Sequence, residues 1–329
     1  MGKDVWVDSV SAPHGLATSG TLLLLDTASL YFRAFYGVPD TVRSPDGVPV
    51  NAVRGLLDMI ATLVAQRRPT RLVACWDDDW RPAFRVAVIP SYKAHRLADA
   101  GDGTEQVPPA LTAQVPLIVD VLAAVGIARV GAPGYEADDV IGTLTAREAA
   151  RPAGARDAVE IVTGDRDLFQ LVDDAVPVRV LYTQRGGLDV IDAARLAERY
   201  GVPSGDAYAD MAILRGDPSD GLPGVPGIGE KTAAALLRTY GSLDGVRAAL
   251  ARVDRGMTEA QRRRLAAAAD YLDVAPLVVR VARDAPVPDV DDHLPDSPAD
   301  PDRLVSLARR WGLASPVARL LDAFASGAG

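Results

Sequence analysis

Three apolar runs in this chain, "LLLLD" (residues 22–26), "LVACWD" (72–77) and "EIVTGD" (160–165), each break off at an aspartate. Short, continuously apolar runs suit strands buried on both faces. Segments between them, such as "NAVRGLLDMIATLVAQ" and "PPALTAQVPLIVDVLAAVG", carry apolar residues at helical spacing. Strands alternating with helices predict an α/β fold with a mostly parallel central sheet flanked by helices. Sites in such folds lie beyond the carboxyl ends of the strands. If these strands are parallel neighbours, Asp26, Asp77 and Asp165 meet on one edge. Taken singly, each aspartate reads as a strand-end turn or a helix cap. Three separate buried strands have no shared need for one.

More acids join the same edge. "GYEADDVIG" (134–142) places Glu136, Asp138 and Asp139 at an expected helix start, more than capping or the helix dipole uses. Asp167 follows Asp165, and "RGDPSDGLPG" adds Asp217 and Asp220. Carboxylates gathered in this way repel one another unless cations sit among them. Cys75 is the only cysteine, and the three histidines, His14, His95 and His293, are far apart, which argues against a zinc site of the Cys/His kind. An all-carboxylate set points to magnesium or manganese. Two such ions about 3.5–4 Å apart are a standard arrangement for phosphodiester hydrolysis. Within "WDDDW", Asp77 directly follows the strand, with Asp78 and Asp79 as alternatives.

The net charge of −9 argues against a polyanionic partner, but two local stretches reverse it. "WRPAFRVAVIPSYKAHR" (80–96) carries Arg81, Arg85, Lys93 and Arg96 and no acid. Phe84 and Tyr92 are interleaved there, a composition suited to phosphate contacts and base stacking. Its other reading is a solvated basic loop packed on the acidic edge. In "GLPGVPGIGEKTA" (221–233), Gly221, Gly224, Gly227 and Gly229, with Pro223 and Pro226, predict a tight hairpin entering a helix. Glycines let backbone N–H groups approach a phosphate, and the helix N-terminus favours that anion. Lys231 in the first turn opposes the dipole unless a phosphate lies nearby. Only three lysines stand among 35 basic residues, and two of them, Lys93 and Lys231, fall in these stretches. Tyr31, Phe32, Phe35 and Tyr36 in "SLYFRAFYG" have helical spacing and read as core.

"EADDVIG", "TGDRDLFQLV" and "GDPSDGLPGVPGIGEKTA" together resemble the 5′-nuclease family: the 5′–3′ exonuclease domain of bacterial DNA polymerase I and the related phage and flap endonucleases. The resemblance runs from about Thr21 to Ser315. It implies a PIN-like fold with a helical arch and a helix–three-turn–helix. The organisation expected is a flexible tail at 1–20 and a nuclease core at 21–203, with the arch at about 80–107. A helical DNA-binding region follows at 204–283, its helix–three-turn–helix at about 221–240, and then an acidic, Pro-rich link and closing helices at 284–329.

The activity implied is a divalent-metal-dependent, structure-specific 5′–3′ exonuclease and flap endonuclease in replication and repair. It would cut DNA near single-strand to double-strand junctions, leaving a 5′-phosphate and a 3′-hydroxyl. Carried over by motif, Asp26, Asp77, Glu136, Asp138, Asp139, Asp165, Asp167, Asp217 and Asp220 serve the metals. Arg85 and Lys93 contact the scissile phosphate. Tyr92, Arg96, Arg33, Gly224, Gly227, Gly229, Lys231 and Thr232 contact DNA. Potassium on hairpin carbonyls is a further implied ion. The partners implied are flapped, nicked or gapped DNA and RNA-primer hybrids, with a functional link to a polymerase and a ligase. A cytoplasmic monomer is expected, since the sequence shows no signal peptide or membrane span.

The segment "WDDDWRPAFR" is one residue longer than the family's usual spacing, and the chain stops at Gly329 with no polymerase domain, so a stand-alone nuclease is expected. Two other readings remain: a catalytically silent junction-binding relative, and a PIN-type ribonuclease.

Overall fold

The computed structural model describes residues 20–98 and 103–327; the expected tail lies outside them except for Gly20, as do residues 99–102 of the arch segment. Six strands form one sheet: β1 (Thr21–Asp26), β2 (Arg71–Cys75), β3 (Ala128–Val130), β4 (Ala158–Thr163), β5 (Val178–Gln184) and β6 (Gly187–Ile191). Their order is β3-β2-β1-β4-β5-β6, parallel throughout except for the β5–β6 hairpin. The three Asp-terminated runs are therefore the three central strands, with β1 between β2 and β4.

The helices are α1 (Thr27–Gly37), α2 (Asn51–Arg67), α3 (Ala83–Val88), α4 (Pro109–Thr112), α5 (Val115–Val125), α6 (Ala137–Ala150) and α7 (Ala193–Tyr200). They continue with α8 (Gly205–Arg215), α9 (Glu230–Tyr240), α10 (Leu243–Ala251), α11 (Glu259–Ala267), α12 (Ala269–Val279), α13 (Pro301–Trp311) and α14 (Ala314–Gly327). Strand alternation explains why "LLLL" has no polar member. Leu23 and Leu25 pack with Leu57 of α2, Leu122 of α5 and Leu320 of α14 on one face. Leu22 and Leu24 pack on the other, continuous with Val140 of α6, Tyr208 of α8 and Leu272 of α12. In α1, which carries "SLYFRAFYG", the buried residues are Thr27, Leu30 and Ala34, whereas Tyr36, read as core, is exposed because it lies on the helix face away from the sheet. Among the described residues, the arch segment is helical in α3 and in a 3-10 turn at Ala94–Arg96.

After α12 the chain runs back past the sheet as a strap without regular structure. Its acidic character has a structural partner at the sheet's opposite end. Arg71, at the start of β2, pairs with Asp292 at 2.8 Å, Glu148 at 2.6 Å and Asp157 at 3.0 Å. Backbone bonds Leu72 N to Asp292 O (2.8 Å) and Leu294 N to Thr70 O (3.0 Å) fix the strap beside it. Nearer the site, the strap passes α6 so closely that a Cβ on Gly142 would lie 2.5 Å from Ala282 O. That contact explains the glycine closing "EADDVIG". We expect Gly142→Ala to cost on the order of 1–3 kcal/mol by forcing helix and strap apart. Its urea midpoint measures this, and an unchanged midpoint would show that the strap yields freely.

Candidate active site

The carboxyl ends of β1, β2 and β4 open into a cavity of about 640 Å³ lined by Asp26, Asp77, Asp78, Glu136, Asp138 and Asp165. Three of these acids, Asp26, Asp77 and Asp165, accept from backbone N–H groups. Asp26 ends β1 and caps α1, accepting from Ser29 N (3.2 Å) and from Thr163 Oγ1 (2.6 Å). Thr163 in turn accepts from Asp165 N (2.8 Å), and Asp165 accepts from Asp167 N (2.9 Å), so one relay of bonds sets three acids. Asp77 accepts from Ala137 N (2.7 Å) and thereby fixes the start of α6. Glu136 is the N-cap residue of α6, with Asp138 in its first turn.

Burial dominates the electrostatics. It pushes Asp26 up to about 6, against the hydrogen bonds from Thr163 and Ser29, and Asp77 up to about 7. Asp138 is raised well above the usual range by burial, then by Asp165 and Asp26. Asp167 is raised likewise by burial, then by Asp165, Asp220 and Asp217. Asp165 thus faces both groups of acids and joins them. Asp220 is raised by burial, with Lys93 opposing. Lys93 stays charged: burial works against it, but the Glu136 carboxylate holds its pKa well above the ordinary lysine value.

The basic segment lies on this edge and is docked to the loop before the hairpin. Lys93 N donates to Asp220 O (3.0 Å), Ser91 Oγ to Gly221 O (2.8 Å) and Arg96 to the Asp220 carboxylate (2.7 Å). Gly221 has φ +71°, and a Cβ there would lie 2.1 Å from Ser91 O, so this approach requires glycine. Lys93 pairs with Glu136, and Lys93 and Arg96 both line the cavity.

Three expected roles need correction, and Arg33 stands apart from the cavity. Arg85, expected on the scissile phosphate, is 2% exposed. It bonds Glu136 (2.5 Å), both oxygens of Asp139 (2.6 and 2.8 Å) and Val278 O (3.1 Å), because two buried carboxylates there need a cation. Asp139, expected at the metals, turns away from the cavity, since its oxygens are taken by Arg85, Glu136 N and Ala282 N. Tyr92 does not present its ring for stacking: it is buried, with its hydroxyl donating to Glu136 (2.7 Å). Arg33 donates to Thr183 O and Gln184 O and does not line the cavity. Among the other candidates, Asp79 is turned into a bond from Arg81 N (3.1 Å), whereas Asp77 and Asp78 line the cavity. Asp217 accepts from Ser219 N (2.8 Å) in the loop that carries Asp220.

The hairpin residues Gly224, Gly227, Gly229, Lys231 and Thr232 stand apart from the cavity lining. Gly224 (φ +63°) and Gly227 (φ +79°) turn the chain, Gly229 caps α9, and Lys231 is exposed in its first turn. Gly227 O accepts from Arg264 (3.1 Å), which puts a guanidinium where potassium was expected. Aromatic and polar residues missed in the sequence also line the cavity: Trp76, Trp80 and Glu105, along with Tyr31 and Phe32, read as core. The tryptophans flank "DDD" and could have been found from that adjacency; Glu105 stands in no recognised motif and had no signal.

The donor set suits a hard divalent cation in charge and chemistry, being all oxygen and short of compensating cations. Among the described residues, no three acids already stand as a ligand shell, as Lys93 and Arg96 hold Glu136 and Asp220. Convergence holds for the cavity, and the side chains would have to close around the ion.

Acids at the ends of three parallel strands, beside a basic segment and a glycine hairpin, define the class of α/β nucleases that cleave phosphodiesters at an acidic edge. Residues 21–201 match the family described as "5'-3' exonuclease, N-terminal resolvase-like domain" and residues 204–302 match "5'-3' exonuclease, C-terminal SAM fold". The chain belongs to the 5′–3′ exonuclease family. It is 60% identical to a 5′–3′ exonuclease of Streptomyces coelicolor, over 91% of this chain and 98% of that one. A 5′–3′ exonuclease of Mycobacterium tuberculosis is 53% identical over 92% and 97%. DNA polymerase I of Mycobacterium tuberculosis is 38% identical over 91% of this chain but only 31% of its own length. The fold is shared with the flap endonuclease of bacteriophage T5 in a complex with DNA and metal ions (TM-score 0.60, 17% identity, 94% of this chain and 100% of that one).

Two predictions follow from the buried charges. Asp26 and Asp77 have folded values above the ordinary 3.8, so over that interval the folded chain binds more protons than the unfolded one. Stability then falls as pH rises. In EDTA, melting should drop between about pH 4 and pH 7 by the equivalent of a few kcal/mol, and magnesium should reverse most of the loss at the higher pH. A flat profile in EDTA would contradict the burial of these acids. Arg85→Met should cost roughly 3–5 kcal/mol in denaturant unfolding, because it strands two buried carboxylates. Wild-type stability with activity alone lost would return Arg85 to the phosphate.

Proposed function

We propose that this 5′–3′ exonuclease is a divalent-metal-dependent flap and gap nuclease acting on DNA near single-strand to double-strand junctions. Asp26, Asp77, Glu136, Asp138 and Asp165 would hold one part of a magnesium or manganese centre, and Asp167, Asp217 and Asp220 the other. The ions, when bound, supply an activated water and Lewis acidity toward the phosphate. Lys93 and Arg96, on the cavity rim, neutralise the scissile phosphate once released from Glu136 and Asp220. Tyr31, Phe32, Trp76 and Trp80 offer ring faces to an unpaired base at the 5′ end.

The hairpin and α9 hold the duplex through backbone N–H groups and Lys231, with Gly224, Gly227, Gly229 and Thr232 permitting close approach. Recognition is by shape and phosphate, leaving a 5′-phosphate and a 3′-hydroxyl. Such products need a polymerase to fill and a ligase to seal. Potassium at the hairpin would compete with Arg264 for Gly227 O. No helix among the described residues is long and apolar enough to cross a membrane.

The observation that supports this reading best is the shared cavity of seven acids, lined also by Lys93 and Arg96. A labelled 5′-flap duplex, incubated with magnesium or EDTA, tests it beside Asp165→Asn. We expect magnesium-dependent cutting at the junction, reduced at least about a hundredfold in the variant while binding persists. Binding without cutting in either magnesium or manganese would leave a silent junction-binding protein.

A further inference from the structure

"TGDRDLFQLV" supplies two acids to the edge, and its Gln170 has no part in the chemistry above. Gln170 is buried, in the 3-10 turn Asp167–Leu171. Its Nε2 donates to Asp167 O (2.8 Å) and Val279 O (3.0 Å), and its Oε1 accepts from Val281 N (3.0 Å). In a parallel ladder, a residue donates to one carbonyl of its neighbour strand and accepts from the N–H two residues further on. The carboxamide makes this same pair of bonds to Val279 and Val281, standing in for a strand that is not there. Only Asn and Gln side chains carry an amide donor and acceptor in one plane, and Asn is a methylene shorter.

The strap held by Gln170 meets the rest of the site within a few residues. Val278 O accepts from Arg85 (3.1 Å), Ala282 N donates to Asp139 (2.7 Å) and Ala285 N to Thr143 (3.0 Å). The helical region also begins against Gln170, since a Cβ on Gly205 would lie 2.4 Å from Gln170 O. One side chain and its backbone thus touch the Asp165–Asp167 turn, the chain entering α8 and the chain leaving α12.

We propose that Gln170 is a positioning residue: it locks the Asp165–Asp167 turn to both ends of the helical region, so that carboxylates and bound duplex keep one register. This rests on the reading that these carboxylates bind the ions used for cleavage. The test compares Gln170→Met, which keeps length and loses every bond, with Thr143→Val, which removes only the acceptor of Ala285. Three readouts are taken: kcat and KM on the 5′-flap duplex, duplex binding in EDTA, and manganese binding to DNA-free protein by electron paramagnetic resonance.

For Q170M the expected result is kcat lower by about thirtyfold and manganese bound about fivefold more weakly, with KM and duplex binding within about threefold. For T143V, kcat and manganese binding should stay within about twofold even if it melts earlier. Should Q170M melt below the assay temperature, Gln170→Glu retains the acceptor for Val281 N. An added carboxylate would by charge alone tighten manganese, so weaker binding there reads the lost bonds to Asp167 O and Val279 O. Wild-type kcat and manganese binding in Q170M overturn the proposal, as do equal kcat losses in Q170M and T143V. A wild-type chain that does not cleave at all would instead sink the nuclease reading, and the proposal with it.

Discussion

Carboxylates gathered out of bulk water repel one another, and each must be offset by a hydrogen bond, a cation or a proton. The parallel sheet creates that problem here by delivering Asp26, Asp77 and Asp165 to one edge. Surrounding elements answer it in different ways. Thr163 and the backbone of α1 and α6 supply hydrogen bonds, Arg85 supplies a permanent buried charge, and Lys93 and Arg96 supply cations at the rim. The division matters for function. A guanidinium locked among Glu136, Asp139 and the strap holds the site together, while Lys93 and Arg96 line the cavity itself.

The basic segment and the hairpin are not separate modules attached to that edge. Asp220 and Gly221 carry the base of the basic segment, and Gly221 is a glycine because Ser91 O lies against it. The strap closes the circuit from the far side through Gly142 and Arg85. Substrate-facing parts from distant regions of the chain are therefore referenced to one another through backbone contacts, which tolerate little side-chain variation.

What was legible in the sequence was whatever repeats with local period or local composition. Strand-end acids follow from apolar runs that stop, and the hairpin from glycines with no helical or strand reading. The inward roles of Arg85 and Tyr92 were not legible, because "FRVAVIPSYK" has the same composition whether its cations face solvent or buried acids. The deciding partners, Glu136 and Asp139, lie far along the chain. Asp139 misled for the converse reason: adjacent acids at a helix start point to different sides, and only the strap shows which side is enclosed. The strap itself carried no local period to read, since it has no regular structure and is held by scattered backbone and side-chain bonds to distant elements.

The strand order has a consequence for how the chain reaches this state. β1 is the first strand made, yet one of its two neighbours, β4, comes after β2, β3 and α6 have all been traversed. Pairings of such long sequence separation close late and slowly. Until β4 docks, Asp165 and Asp167 are not beside Asp26, and their mutual repulsion does not exist. The penalty of setting Asp165 and Asp167 against Asp26 thus falls on closure of the β1–β4 pairing, for which the nearer-in-sequence pairing of β1 with β2 need not wait.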